Sequence, residues 1–340
     1  MPRPRVAVDA MGGDHGARVV TEGAVLACRE LGVEVSLTGP KDLLRRELQR
    51  LEGGGLSIEV LDAPDVVGMA EKVSRSVLKK RSSIQVGLEQ VQNRKADAFF
   101  SAGNTAACWT IARMVLGTLE EVDRPALAAV LPSRKGQTVL LDVGANTRCK
   151  ARNLEEFAVM GSAYSRGVLQ KPTPRVGLMS LGQEDSKGSD LIREVNEVLK
   201  GASVNFIGNV EGHDLFTGKV DVVVVDGLTG NVVLKACETL AELVIEDLSE
   251  ELMRGLRTRV GGWLSRPALE AVRRRTDAVE AGGAPLLGVG GCCVIGHGKS
   301  SARAVKQGIR MAAEFFTSGV NDAIQAELRP LRARTEARSA

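Results

Sequence analysis

Aromatic residues make up only 3% of the 340-residue chain, as seven Phe, two Trp and one Tyr. Proteins that hold nucleic acid by stacking need rings for the bases, so this scarcity argues against such a platform. Histidine is rarer than any of these but Trp and Tyr, with three in all, and none of the six cysteines (28, 108, 149, 237, 292 and 293) belongs to a Cys-x-x-Cys pair. That supply argues against a structural zinc site and for reduced thiols in a cytosol. Charge of one sign is also lacking: 45 basic residues face 42 acidic ones, a net +3 that calls for no polyanionic partner. The longest uncharged stretch, Ala281 to His297, is Gly-rich and falls short of the ~20 apolar residues of a spanning helix. The opening MPRPRVAVDAMGGD has neither the apolar stretch nor the cleavage site of a signal peptide.

What is present is a globular composition, 44% hydrophobic and 26% charged, with 38 Gly used as punctuation. Short β-branched runs ending in Gly, Asp or Asn recur at 5–14, 33–39, 56–63, 96–104, 137–146, 175–182, 204–212 and 220–231. Their hydrophobicity is continuous rather than alternating, and helix-length segments such as Gly16–Leu31, Asp42–Leu51 and Asn153–Val168 separate them. Strands covered on both faces are expected, in a doubly wound, mainly parallel α/β sheet. The chain is expected to form one α/β unit over 1–320 with two subdomains around a cleft, and a mobile tail over 325–340.

In such sheets ligands bind beyond the carboxyl ends of strands. Those ends carry the unusual residues: Asp9, Gly12, Gly13 and Asp14; Ser101, Gly103, Asn104 and Thr105; Asp142, Gly144 and Asn146; Asp226, Gly227, Thr229, Gly230 and Asn231. Any one of these loops reads as a turn and helix cap. Four in one chain point to a shared cleft. Lys187, in the loop LGQEDSKGSD, is a candidate cation with a solvated loop lysine as its plainer alternative, and His297 is the histidine best placed for chemistry, being flanked by glycines.

Segment 234–287 reads as a helical hairpin. Leu234–Leu252 holds one Lys against six acids, whereas Arg254–Arg275 holds seven Arg against Glu270. Gly261 and Gly262 are expected to break it, with Pro267 opening the second helix and a basic tip carrying Arg254, Arg257, Val260, Trp263, Leu264 and Leu269.

Two signatures are incomplete. Cys293-Val-Ile-Gly-His-Gly-Lys-Ser300 lacks the first Gly of a Walker A loop, although Gly296, Gly298 and Ser300 before a helix suit a single phosphate. Gly288-Val-Gly290-Gly291-Cys-Cys has Cys293 where a dinucleotide fingerprint needs its third Gly. No Gly-x-Ser-x-Gly elbow occurs.

The opening Val-Ala-Val-Asp-Ala-Met-Gly-Gly-Asp (6–14) resembles the N-terminal signature of the PlsX-type phosphate acyltransferases. Ser101–Thr105, Asp142–Asn146, Asp221–Lys235 and His297–Ala304 match later blocks of that family in the same order, so the resemblance runs from about residue 5 to about 318. It implies a dimeric fold similar to isocitrate and isopropylmalate dehydrogenases and phosphotransacetylase. It further implies transfer of a long-chain acyl group from acyl carrier protein to inorganic phosphate, the acyl phosphate serving the membrane glycerol-3-phosphate acyltransferase of phospholipid synthesis.

On that reading phosphate attacks the thioester directly, with no cofactor or metal. Lys187, Asn231 and His297 are the catalytic candidates, Asp9, Gly12, Gly13, Asp14, Gly103, Asn104, Thr105, Asp142, Asn146, Asp226, Thr229, Gly230, Gly298 and Ser300 the phosphate and substrate set. The carboxylates of Asp9, Asp14 and Asp226 would repel phosphate, so they are read as orienting loop N–H groups or Lys187. The hairpin is expected to meet the inner face of the membrane, the carrier, or a second copy of the chain, placing a cytoplasmic protein peripherally on the bilayer, with no nucleic acid partner. The alternatives are a non-catalytic phosphate- or lipid-binding module and a dehydrogenase-like enzyme of the same fold.

Overall fold

The computed structural model describes residues 3–276 and 282–339. Its first block alternates β1 (Arg5–Asp9), α1 (Gly16–Leu31), β2 (Glu34–Gly39), α2 (Lys41–Arg50), β3 (Ile58–Asp62), α3 (Arg75–Leu78), α4 (Ser83–Gln92), β4 (Ala98–Ser101) and α5 (Thr105–Leu116). A second block follows: β5 (Ala126–Ser133), β6 (Gly136–Leu141), α6 (Ala151–Gly167), β7 (Arg175–Met179), α7 (Asp190–Lys200), β8 (Asn205–Val210), α8 (Asp214–Thr217) and β9 (Val222–Val224). The chain then makes two long helices, α9 (Gly227–Met253) and α10 (Leu256–Thr276), and returns through β10 (Ala284–Leu287), β11 (Cys292–Ile295), α11 (Ala302–Thr317) and α12 (Val320–Ser339).

All eleven strands join one sheet in the order β3-β2-β1-β4-β11-β10-β5-β6-β9-β7-β8. The Val-rich runs 6–8 and 222–225 are buried on both faces, as parallel strands between helix layers require. Helices α1 and α11 cover one face of the first block and α4 and α5 the other, splitting the core in two.

Three contacts are antiparallel, β11 with β10, β10 with β5 and β5 with β6. Three reversals are an odd number, so the parallel block β1-β4-β11 runs opposite to the parallel block β6-β9-β7. The register is staggered as well: β11 ends at Ile295 opposite Ala284, β6 ends at Leu141 opposite Ala128, and Leu286 pairs with Leu127, so the carboxyl ends of the two blocks meet across the central strands β10 and β5.

Two expectations change. The hairpin turns at Arg254–Gly255, not at Gly261–Gly262, because Thr258 Oγ1 accepts the Gly255 N–H (3.0 Å) and the Gly255 carbonyl starts the new helix by accepting the Arg259 N–H (2.9 Å). Gly262 and Pro267 lie inside α10, and a Cβ on Gly262 would meet Leu252 at an ordinary contact distance of 3.4 Å. From Gln325 onward, where a tail was expected, the backbone continues as α12, which packs on α6 and buries Ile324 and Leu328. The part of the hairpin over 277–281 lies outside the described residues.

Candidate active site

The strand-end loops form two clusters, one from each block. In the first, Asp9 is buried at the end of β1, where one carboxylate oxygen accepts the Ser101 hydroxyl (2.6 Å) and the other the Met11 N–H (3.1 Å). Burial pushes its carboxyl above the usual range, and the Ser101 hydroxyl opposes the shift. Ser101 Oγ in turn accepts the Gly103 N–H (2.9 Å), holding the β4 loop against the β1 loop so closely that a Cβ on Gly12 would stand 2.6 Å from the Gly103 nitrogen. The Asp14 N–H donates to the Gly298 carbonyl (2.8 Å), and Gly13, in the left-handed region at φ 90°, lies beside that same carbonyl. The three loops are thus one rigid unit.

In the second cluster Asp142 is fully buried and accepts five hydrogen bonds. Oδ1 takes the N–H groups of Leu127, Gly144 and Ala145 (3.0 to 3.2 Å), and Oδ2 takes the Asn146 N–H (2.7 Å) and its side-chain Nδ2 (3.0 Å). Burial raises its carboxyl pKa against those donors. The Asn146 carbonyl receives the Gly227 N–H (2.8 Å), tying the β6 loop to the start of α9. Asp226 caps α9, its Oδ1 accepting the Leu228 and Thr229 N–H groups (3.1 Å each) and its Oδ2 the Thr229 hydroxyl (2.7 Å).

Between the clusters, over β5 and β10 and flanked by α5 and α9, lies a cavity of about 560 Å3. Thr105, Gly144, Asn231, Gly296 and His297 line it, so loops from both blocks meet there. The Lys299 N–H points at His297 Nδ1 (3.3 Å), which makes Nδ1 an acceptor and leaves the proton of the neutral ring on Nε2. The side chain of Asn231 has no hydrogen-bond partner among the described residues, and the residue stands on the first turns of α9.

Other candidates serve the scaffold. Asn104 Nδ2 donates to the carbonyls of Gly68, Met69 and Glu71, and its Oδ1 caps α5 through the Ala107 N–H (3.0 Å). Asn146 Nδ2 also holds the Pro125 carbonyl (2.8 Å), and the Ser300 hydroxyl donates to the His297 carbonyl. Lys187 sits in the loop after β7, outside the cavity wall.

Sequence reasoning missed Lys235 and Glu238. Both line the cavity one and two turns beyond Asn231, and Lys235 Nζ pairs with Glu238 Oε2 at 2.7 Å. The signal was there in the spacing: 231, 235 and 238 fall at i, i+4 and i+7, one face of a helix. Much of the remaining wall is apolar, built from Val73, Trp109, Leu127, Val130, Leu234 and Ile295.

A family model described as "Fatty acid synthesis protein" matches residues 4–323. A phosphate acyltransferase of Acidobacterium capsulatum is 50% identical over 324 residues, covering 95% of this chain and 96% of that protein. The chain belongs to this phosphate acyltransferase family. A second phosphate acyltransferase, from Geobacter sulfurreducens, is 46% identical over 318 residues, 93% of this chain and 92% of that one. The fold of the acyltransferase is similar to that of a Streptococcus pyogenes phosphotransacetylase, with a TM-score of 0.63 at 17% identity over 93% and 94% of the two chains. It is similar as well to a Salmonella typhimurium protein described as a putative 4-hydroxythreonine-4-phosphate dehydrogenase, with a TM-score of 0.55 at 14% identity over 93% and 100%.

None of the six cysteines of the acyltransferase has a depressed pKa. Burial pushes Cys28 and Cys149 up to about 11 and Cys108 and Cys292 up to about 12, and raises Cys237 and Cys293 as well. At neutral pH such thiols hold their protons and are poor nucleophiles.

Proposed function

We propose that the cavity moves a long-chain acyl group from the thioester of an acyl carrier protein to inorganic phosphate, giving an acyl phosphate for phospholipid synthesis. The observation that carries this reading is the cavity's mixed lining, in which Val73, Trp109, Leu127, Val130, Leu234 and Ile295 stand together with Asn231, Lys235 and His297. The apolar side chains suit an alkyl chain, and the polar ones suit an anion and a carbonyl that becomes an oxyanion.

Hydrogen phosphate attacks the thioester carbon through one oxygen. A C–O bond forms, the C–S bond breaks, and the proton given up by the phosphate ends on the departing thiolate, so that acyl phosphate and free carrier thiol are the products. Lys235 neutralises the phosphate, exchanging its partner Glu238 for the incoming anion. Asn231 Nδ2 donates to the tetrahedral oxyanion, a role in which a single donor contributes about 3–4 kcal/mol to the transition state. The His297 Nε2–H donates a hydrogen bond to the departing sulfur, while the proton of the hydrogen phosphate itself moves to the thiolate. Lys187 is the second cation, approaching from the loop after β7 once substrate is in place. The loops around Asp9 and Asp142 brace the two sides of the site through their internal hydrogen bonds, with Thr105 at the edge of the phosphate.

The hairpin supports a further part of the reading. Val260, Trp263 and Leu264 are 54%, 72% and 66% exposed on α10, while Leu269 is half-buried. Leu240, Val244 and Leu248 add an exposed apolar row on α9. No helix among the described residues is long and apolar enough to cross a membrane. We assign the α9 row to a homodimer contact and the α10 residues, with Arg254 and Arg257 beside them, to the inner face of an anionic bilayer. The acyl phosphate would there reach the membrane glycerol-3-phosphate acyltransferase.

The test is release of free thiol from palmitoyl-carrier protein with and without phosphate, the acyl phosphate being trapped as a hydroxamate. Phosphate-dependent release with equimolar hydroxamate supports the reading, and phosphate-independent release would make the protein a thioesterase.

A further inference from the structure

The cavity has a basic lip that the reaction above leaves unused. Segment 65–81 carries five cations against two acids, a net +3 equal to that of the whole chain. Lys80 is spoken for: its Nζ donates to the Val66 carbonyl (3.1 Å) and to both oxygens of Glu71 (2.7 and 2.9 Å). The other acid, Asp65, accepts the Arg81 backbone N–H (2.8 Å). Lys72, Arg75, Lys79 and Arg81 are exposed, and their side chains have no hydrogen bond or ion pair among the described residues.

The lip is fastened to the cavity in three ways. Asn104, the cap of α5, grips the carbonyls of Gly68, Met69 and Glu71. Met69 lies against the His297 loop, so that a Cβ on Gly298 would stand 2.7 Å from Met69 Cε. Val73, between the free cations, is itself part of the cavity wall. A protein seated on these cations therefore sits at the entrance to the site. Val66 and Met69, 36% and 38% exposed, give that surface a small apolar centre beside its charges.

We propose that this lip, centred on Lys72, Arg75 and Lys79, is the docking surface for the acidic acyl carrier protein, which delivers its thioester arm past Val73 into the cavity. The proposal rests on the carrier being the acyl donor. Acidic carriers have charge complementary to it, and free cations at a rim steer such a partner without first having to break an internal ion pair. The hairpin is less suited. Arg254 and Arg266 are already paired with Glu251 (2.7 Å) and Glu270 (2.8 Å), and no residue of α10 lines the cavity.

The experiment compares two donors on the full-length protein, palmitoyl-carrier protein and S-palmitoyl-pantetheine, for the wild type and the triple charge reversal Lys72→Glu, Arg75→Glu, Lys79→Glu. The expected result is a rise of about tenfold or more in the ratio of the carrier KM to the pantetheine KM, with the wild-type carrier KM climbing steeply as KCl is added and that of the variant nearly flat. Reversal of Lys41, Arg45 and Arg46 on α2 matches the change in net charge and leaves the ratio in place. An unchanged ratio in the lip variant overturns the proposal, as does a larger effect from Arg254→Glu with Arg257→Glu, which would give the carrier to the hairpin. An equal loss with both donors also overturns it, since the lip would then act on the cavity itself. Failure of the wild type to turn over either donor is a separate result: it removes the acyl-transfer reading and this docking surface with it.

Discussion

Gly230 is pressed against the carbonyl oxygen of Asp142, so closely that a Cβ on the glycine would lie 1.9 Å from it. This contact sets the first turn of α9 against the β6 loop, and it thereby fixes where Asn231 and Lys235 enter the cavity. Gly230→Ala must push the helix away from a buried backbone group. The expected cost is about 2–3 kcal/mol or more, read as a lower midpoint in urea unfolding, and the folded fraction loses turnover because Asn231 moves with the helix.

Removal of the rim cation separates the two lysines. Lys235→Ala is expected to raise the phosphate KM by about ten- to a hundredfold, the range of a charge-assisted hydrogen bond of about 1.5–3 kcal/mol. Lys187→Ala is expected to lower kcat more than it raises the phosphate KM, since Lys187 stands outside the cavity wall and is assigned only to the later approach to bound substrate. Steady-state kinetics with phosphate varied at saturating donor gives both numbers. A Lys235→Ala variant with wild-type phosphate KM would remove this residue from the site.

Asp221, outside the site, makes a pH-dependent contribution to stability. Burial raises its carboxyl pKa, but the guanidinium of Arg175, bonded through Nε (2.8 Å) and Nη2 (3.2 Å), outweighs that and holds it below the ordinary range. A carboxyl depressed in the folded state stabilises above its unfolded pKa, and the contribution is lost as pH falls through the folded value. Asp221→Asn should thus cost about 1–2 kcal/mol at pH 7, discounted for the partial exposure of Arg175. The gap between variant and wild type should narrow on acidification below the ordinary carboxylate range, as followed by urea unfolding at several pH values.

The hairpin assignment predicts that Trp263→Glu with Leu264→Glu abolishes co-sedimentation with phosphatidylglycerol vesicles and leaves the dimer intact in analytical ultracentrifugation. Leu240→Glu with Val244→Glu is expected to do the reverse, giving monomers. Vesicle binding that survives the Trp263 and Leu264 changes would contradict the placement of α10 on the bilayer.

The parallel strands were legible because two-sided burial writes continuous Val-rich runs, as at 6–8 and 222–225. β5, β10 and β11 were not. β5 reads ALAAVLPS, rich in Ala and holding Pro132, and β11 is only Cys292–Ile295 inside a stretch that resembles a broken phosphate loop. Those are the strands that reverse the second block, and no spacing in the sequence records that reversal. Within the site, Thr105, Asn231 and His297 could be picked out as polar residues at strand-end loops. Asn104 and Asn146 look the same in sequence but hold carbonyls of the fold, which only the three-dimensional partners reveal. Lys235 and Glu238 were hidden because an acidic helix with a single lysine reads as a solvated face.

In the proposed reaction phosphate itself is the nucleophile, with no acyl-enzyme on the way. Rapid-quench measurement of thiol release, with the acyltransferase at concentrations comparable to palmitoyl-carrier protein and phosphate withheld, tests it directly. No release is expected until phosphate is added, and then full release in step with acyl phosphate. A burst of thiol equal to the enzyme concentration before phosphate is added, with palmitate bound covalently to the protein, would contradict it.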